Sequence, residues 1–417
     1  MEAPADLDTY RREAREWLTA NFEPADPNAP VRRVRDGHHR TREDFVPERA
    51  LQKKLYEAGY AGITWPKEHG GQGLGPEYEA AFNEEAVNFR MPDLGHSAGI
   101  TYGICGKTML RHASPSFLAR HVPRMLSGDE LFVQLFSEPG AGSDMAGVTT
   151  RAVRDGDRWI LTGSKIWTSG ADSADYGMCL ARTDWDVPKH RGLTWFAVPL
   201  DAPGLTMEPI REINGSADFC QEFLDEVEVP ADDMIGEVNE GWAIAQTMLL
   251  HERSAGRGDK RVEPEINAGF DPHVVEVARR AGRLQDPVAR QLLAQIHVND
   301  WVRVQLSTRI GQLMTSTTAP MGVAAYWKLA AGMIDPMRAR WVFELGQGVP
   351  LAWREGDEEG RLASLNHLNS RVFSIAGGSN EMQRNAIGER ALGFPREPSF
   401  DTDKPFNEVV RTAKWRS

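Results

Sequence analysis

Two short stretches carry residue types suited to holding a flat, electron-rich ligand. The first, Leu135-Phe136-Ser137-Glu138-Pro139-Gly140-Ala141-Gly142-Ser143-Asp144, follows an apolar run that begins at Leu131. Gly140 and Gly142 let the backbone approach a ligand closely and expose N–H groups that can cradle an anion or the polar edge of a ring. The stretch is not G-x-G-x-x-G and opens no helix, so a dinucleotide fingerprint is excluded, whereas a purely structural turn fits the same residues. The second, Lys165-Ile166-Trp167-Thr168-Ser169-Gly170, sets an indole before two hydroxyls. A flat apolar wall beside short hydrogen-bonding groups suits a planar heteroaromatic cofactor, although a tryptophan in a strand also serves as ordinary core.

A candidate base lies further on, in His251-Glu252-Arg253. Trp242, Ala245, Met248 and Leu249 form an apolar stripe at helical spacing, and the step from Met248 to position 252 continues it. Glu252 is therefore expected to point inward. A buried carboxylate without a partner costs several kcal/mol or takes up a proton. A salt bridge to an arginine such as Arg257, or a solvated helix end, accounts for Glu252 as well as a catalytic role does.

The elements that must position these residues follow a simple order. Up to about residue 130 the pattern is helical, with a capping start near Asp6 to Thr9 and Tyr10, Ala14, Trp17 and Leu18 along one face. The glycine-rich loop Trp65-Pro66-Lys67-Glu68-His69-Gly70-Gly71-Gln72-Gly73 interrupts it. From 131 to 235 short alternating runs predict a β domain, with a type I′ hairpin turn at Asp155-Gly156. From 236 to 417 the helical period returns, broken near Gly256 to Pro272, Leu345 to Gly360 and Ala376 to Asn380.

Composition narrows the function. The 417 residues carry a net charge of −12, 41% apolar and 26% charged residues, which argues for two or three globular domains and against a nucleic-acid or anionic-membrane surface. No secretory signal or membrane span is evident, so a cytoplasmic protein is expected. Cys105, Cys179 and Cys220 lack metal or redox spacing and read as buried small hydrophobes, and the 11 histidines show no paired-ligand motif, so no metal site is expected.

Four motifs together resemble the FAD-dependent acyl-CoA dehydrogenase family: the loop at Trp65–Gly73, the two stretches above, and Gly377-Gly378-Ser379-Asn380-Glu381-Met382-Gln383-Arg384-Asn385-Ala386-Ile387-Gly388-Glu389-Arg390. They occur in the family's order across nearly the whole chain. The resemblance implies an α+β architecture with an N-terminal helical domain, a middle β domain and a C-terminal four-helix bundle. It implies that Phe136, Ser137 and Gly142 meet the flavin, that Trp167 walls it with Thr168 beside it, and that Ser169 approaches its redox-active edge. Ser379 and Glu381 would meet the adenosine half of FAD, while Ser143, at the cofactor loop, would touch the pantetheine arm of an acyl-CoA thioester and Arg253 its CoA arm.

The family's usual catalytic glutamate falls at Gly377 here, which keeps only the backbone N–H that polarises the thioester carbonyl. A second family solution, found in isovaleryl- and long-chain-type members, puts the glutamate before an arginine on a bundle helix, and Glu252 matches it. The implied reaction is α,β-dehydrogenation to a trans-2-enoyl product in lipid metabolism, by a homodimer or homotetramer that passes electrons to an electron-transfer flavoprotein. The family's Arg-x-x-Phe-Gly element is reduced to an echo at Arg279-Arg280-Ala281-Gly282. That leaves room for a silent subunit of a hetero-oligomeric dehydrogenase, and a flavin oxidase or monooxygenase on the same fold is a separate alternative.

Overall fold

The computed structural model describes residues 6–26, 41–255, 269–314, 316 and 322–412. The chain opens with α1 (Leu7–Asn21), whose first turn is capped by Asp6 accepting the Thr9 N–H at 2.8 Å. Tyr10, Ala14 and Leu18 form its buried face, at the spacing expected from the sequence. They pack with Tyr60 and Phe82 against α2 (Val46–Glu57) and α3 (Pro76–Ala86). After α3 come α4 (Gly95–Ile100), α5 (Gly106–His112) and α6 (Pro115–Ser127).

The loop at 65–73 joins α2 to α3 and is packed from within. Trp65 is buried in the central core beside Met109, Phe117, Trp195 and Met248, so N-terminal helices, sheet and C-terminal helices share one apolar cluster. A Cβ at Gly71 would lie 2.2 Å from the Trp65 carbonyl oxygen, a backbone atom that has nowhere to move. Gly71→Ala is expected to lower unfolding stability by about 1–3 kcal/mol, measurable by urea denaturation, and an unchanged midpoint would show that the loop is not held this way.

Among the described residues eight strands form one sheet in the order β6-β7-β3-β2-β4-β5-β8, with β1 paired to β4. They are β1 (Phe132–Leu135), β2 (Arg151–Asp155), β3 (Arg158–Ser169), β4 (Tyr176–Arg182), β5 (Leu193–Pro199), β6 (Leu205–Ile210), β7 (Phe219–Pro230) and β8 (Met234–Ile235). The β2–β3 hairpin is present with a corrected turn. Asp155 pairs with Arg158, so Gly156-Asp157 are the turn residues, and of these only Gly156 has a positive φ, 63°. A type I′ turn needs positive φ at both central residues, which excludes that assignment.

The C-terminal part comprises α7 (Gly241–Ala255), α8 (Pro272–Arg280), α9 (Pro287–Met314), α10 (Val323–Gly346), α11 (Glu358–Asn369), α12 (Asn380–Ala386) and α13 (Phe406–Thr412). Val277, Leu293, Val342 and Leu345 form the core of α8, α9 and α10. Among the described residues no helix is long and apolar enough to cross a membrane. The three cysteines are buried and free, as their spacing suggested.

Candidate active site

Strand β1 runs directly into the glycine-containing loop, and β3 holds that loop in place. The Ile166 N–H donates to the Ser137 carbonyl at 3.0 Å, and Lys165 Nζ reaches the Phe136 carbonyl at 3.4 Å. Glu138 and Ala141 exchange backbone hydrogen bonds, both 3.0 Å, which closes a tight turn over Pro139-Gly140. Gly140 and Gly142 have no positive φ, and a Cβ at either would meet nothing within 4 Å among the described residues. The fold itself does not require glycine at these positions. Their bare backbone faces open space, the arrangement a close-approaching ligand needs.

The β3 stretch adds the wall. Between Ile166 and Thr168 the register with β7 shifts, and Trp167, at φ 67°, stands in the bulge. The residue is 56% exposed, and its indole is braced edge-on by Phe219 at 5.8 Å. An exposed, rigidly supported tryptophan beside a glycine cradle fits a flavin ring. Thr168, expected to contact the cofactor, instead turns its side chain inward: it is buried, and its hydroxyl donates to Glu222 Oε2 at 2.8 Å. Ser169 is half-buried, and Ser143 lies exposed at the end of the loop.

The third group comes from the helices. Ala245 and Met248 of α7 are fully buried, Trp242 and Leu249 pack against the same core, and half-buried Glu252 follows one turn later. A Cβ built at Gly377 would lie 3.4 Å from Glu252 Oε1 and 3.3 Å from Lys328 Cε. The carboxylate from α7 thus reaches the space that a side chain at 377 would enter. Gly377 (φ 67°) and Gly378 (φ 89°) make this turn, and the side chain of Gln383 donates to both their carbonyls at 3.1 Å. Lys328 donates to the Phe373 carbonyl, and burial lowers its pKa against the opposing pull of Glu252. Arg253 follows in α7; its side chain, like Arg257, lies outside the described residues.

Ser379 caps α12, accepting the Met382 N–H at 3.4 Å, and Glu381 is exposed on the first turn. The helix packs on α10 through Asn380, which donates to the Gly332 carbonyl. The structure therefore brings together the loop with the Trp167 stretch, and separately Glu252 with Gly377.

Three residues that the sequence reading passed over emerge here: Glu138, Glu222 and Lys328. Glu138 accepts from Lys165 Nζ at 2.8 Å and from the N–H groups of Thr149 and Thr150 at 2.7 and 2.8 Å, with both ion-pair partners buried. Burial opposes its ionisation, but Lys165 and these hydrogen bonds prevail and hold its carboxyl down at about 2. A glutamate and a lysine, each in an apolar strand-like run, were the signal for that pair.

With the fold and these groups in place, the comparisons with known proteins agree on one family. The model of the acyl-CoA dehydrogenase N-terminal domain matches residues 5–129, and that of the middle domain matches residues 134–227. The chain belongs to the acyl-CoA dehydrogenase family and has its fold; members are FAD-dependent oxidoreductases. It is 34% identical to acyl-CoA dehydrogenase IpdE1 of Mycobacterium tuberculosis, over 94% of this chain and 99% of that protein. Among solved structures it resembles one described as a Tcur3481-Tcur3483 steroid ACAD, with a TM-score of 0.73, 29% identity, and coverage of 95% of this chain and 99% of that one. The ChsE4-ChsE5 complex from Mycobacterium tuberculosis is similar at a TM-score of 0.68 and 26% identity, covering 95% of this chain and all of that one (100%).

Proposed function

We propose that this chain dehydrogenates the α,β bond of a bulky, ring-bearing acyl-CoA thioester, with Glu252 as the base and an electron-transfer flavoprotein as the electron acceptor. The observation that carries the proposal is the 3.4 Å separation between Glu252 Oε1 and the Cβ position of Gly377. The base comes from α7 and not from the 377 turn, and Glu252 and Lys328 border the space that a side chain at 377 would enter. The likeness to a steroid ACAD over 95% of the chain supports the same substrate class.

Bound FAD supplies the hydride acceptor, and the residues fit it through the bare glycine loop and the exposed face of Trp167. Phe136, Ser137, Trp167 and Ser169 orient the ring, with Thr168 behind them. Ser379 and Glu381 serve its adenosine half, and Ser143 and Arg253 the CoA arm. Glu252 takes the α-proton, while the N–H of Gly377 holds the thioester carbonyl and stabilises the charge that develops on its oxygen.

The test is an anaerobic titration of the purified protein with steroid-derived, branched and straight-chain acyl-CoA esters, following flavin absorbance. Bleaching by the polycyclic ester supports the proposal, and bleaching by short straight chains alone overturns the substrate class. The likeness to the ChsE4-ChsE5 complex favours a second reading, a subunit that needs a different partner chain. Loss of FAD when the chain is expressed alone, and its retention on co-expression with a partner, would establish it.

Gly377→Ala probes the pocket directly. The new methyl group takes up an unfavourable left-handed backbone and sits 3.3–3.4 Å from Lys328 and Glu252. Turnover is expected to fall roughly tenfold by displacement of the base, with stability lowered by only about 1–2 kcal/mol. Unchanged steady-state kinetics would show that the base does not work beside this turn.

A further inference from the structure

Behind the Trp167 bulge lies a carboxylate that the reaction does not use. Glu222 is fully buried on β7, paired across the sheet with Lys165. One oxygen accepts the Thr168 hydroxyl at 2.8 Å, and the other, Oε1, is enclosed without a hydrogen-bond partner among the described residues. Lys165 gives it little relief, because its ammonium is already bound to Glu138 Oε1 at 2.8 Å and to the Leu180 carbonyl at 2.6 Å. Among the described residues, the thiols of Cys179 on β4 and Cys220 on β7 also interact with it, and burial pushes them up to about 11 and about 12 respectively. Both stay neutral through the physiological range.

An ion in such an enclosure, with one hydroxyl for solvation, is strongly disfavoured. Glu222 therefore tends to hold its proton, and burial pushes its carboxyl up to about 7. Thr168 is the link to the surface: its hydroxyl is tied to Glu222, and its backbone adjoins Trp167, whose indole is the exposed wall of the candidate flavin site.

We propose that Glu222 is a positioning residue for bound FAD that couples the cofactor's electron affinity to a buried proton. Protonated, it leaves the inner side of the wall neutral. Ionised, it places a negative charge behind the ring and opposes electron gain. The electrons come from the acyl substrate; Glu222 exchanges one proton with water and forms no bond to the cofactor. The proposal rests on the reading that the flavin lies against Trp167.

The test compares wild type, Glu222→Gln and Trp167→Phe, each loaded with FAD, by spectroelectrochemical titration at pH 6 and pH 8.5. For Glu222→Gln the reduction equilibrium should match wild type within about twofold at pH 6 and favour reduction by roughly tenfold at pH 8.5, since one pKa unit corresponds to a factor of ten. Parallel pH dependences in the two proteins would overturn the proposal. Trp167→Phe checks the placement separately: a changed flavin spectrum or affinity supports it, and an unaltered one removes the basis for the coupling.

The FAD-free protein gives an independent readout of the buried acid. Because folding raises the Glu222 pKa, its contribution to stability is fully present below the unfolded value near 4.5 and is lost as pH rises towards about 7. Glu222→Gln should remove this loss, so that the variant gains stability relative to wild type between pH 5 and pH 8. A constant difference across that range would show that Glu222 does not titrate there.

Discussion

Replacing Glu252 by glutamine is expected to lower the rate of anaerobic flavin bleaching by roughly 10³-fold, within the range for loss of a general base. The α-hydrogen of a thioester is a weak acid, and its removal must accompany departure of the β-hydride, so a carboxylate within reach is indispensable to turnover. In the proposed reaction Glu252 supplies it: the residue lies one turn beyond fully buried Met248, with Oε1 3.4 Å from where a side chain at Gly377 would begin. Glutamine keeps the size and hydrogen-bonding reach of the side chain but cannot take the proton. Folding should therefore be preserved to within about 1 kcal/mol, and the ester should still bind and perturb the flavin spectrum. Glu252→Asp, which keeps the carboxylate but withdraws it by one methylene, should fall between the two, at roughly 10- to 100-fold below wild type. If the glutamine variant bleaches within tenfold of wild type, Glu252 is a structural ion-pair member and the base lies elsewhere.

How far these groups could be read in advance depended on the range of the interaction involved. The direction of Glu252 was legible because it follows from one helix: the stripe of Trp242, Ala245, Met248 and Leu249 packs on the core as its period requires. The alternation of helical and strand periods likewise gave the order of the architecture. Lys328 was not legible, since the period of α10 does not say which neighbouring helix each face meets. Glu222 was hidden by backbone irregularity. Counting back in steps of two from buried Val229 and Val227 puts residue 222 on the solvent face, but Asp225-Glu226 form a bulge, with Glu226 at φ 54°, that reverses the alternation. Cys220, Glu222 and Leu224 face inward as a result. The inward direction of the Thr168 side chain was hidden for a related reason, because the neighbouring bulge turns Trp167 outward and its hydroxyl-bearing neighbour in.

Glu138→Gln should produce the largest stability loss of the changes considered, about 3–5 kcal/mol at pH 7, because it leaves the fully buried Lys165 ammonium without its counter-charge. The glutamate also accepts the Thr149 hydroxyl and two backbone N–H groups, and one amide oxygen cannot serve all of these. Loop and sheet would loosen together, and FAD affinity should fall with them, since the same contacts set the Phe136–Ser143 loop against the strand that carries Trp167.

The pH dependence identifies the ion pair as the cause. Folding depresses the Glu138 pKa, so its contribution is present above the unfolded value near 4.5 and is lost as pH falls towards about 2. A shift of that size corresponds to about 3 kcal/mol. Urea denaturation between pH 7 and pH 2.5 should therefore show wild type and Glu138→Gln converging as the solution becomes acidic. Pairing the change with Lys165→Met should recover much of the loss, because an apolar side chain in that enclosure leaves no unpaired charge. If the double variant is as unstable as the sum of the single ones, the hydrogen bonds to Thr149 and Thr150, rather than the charge pair, hold the loop to the sheet.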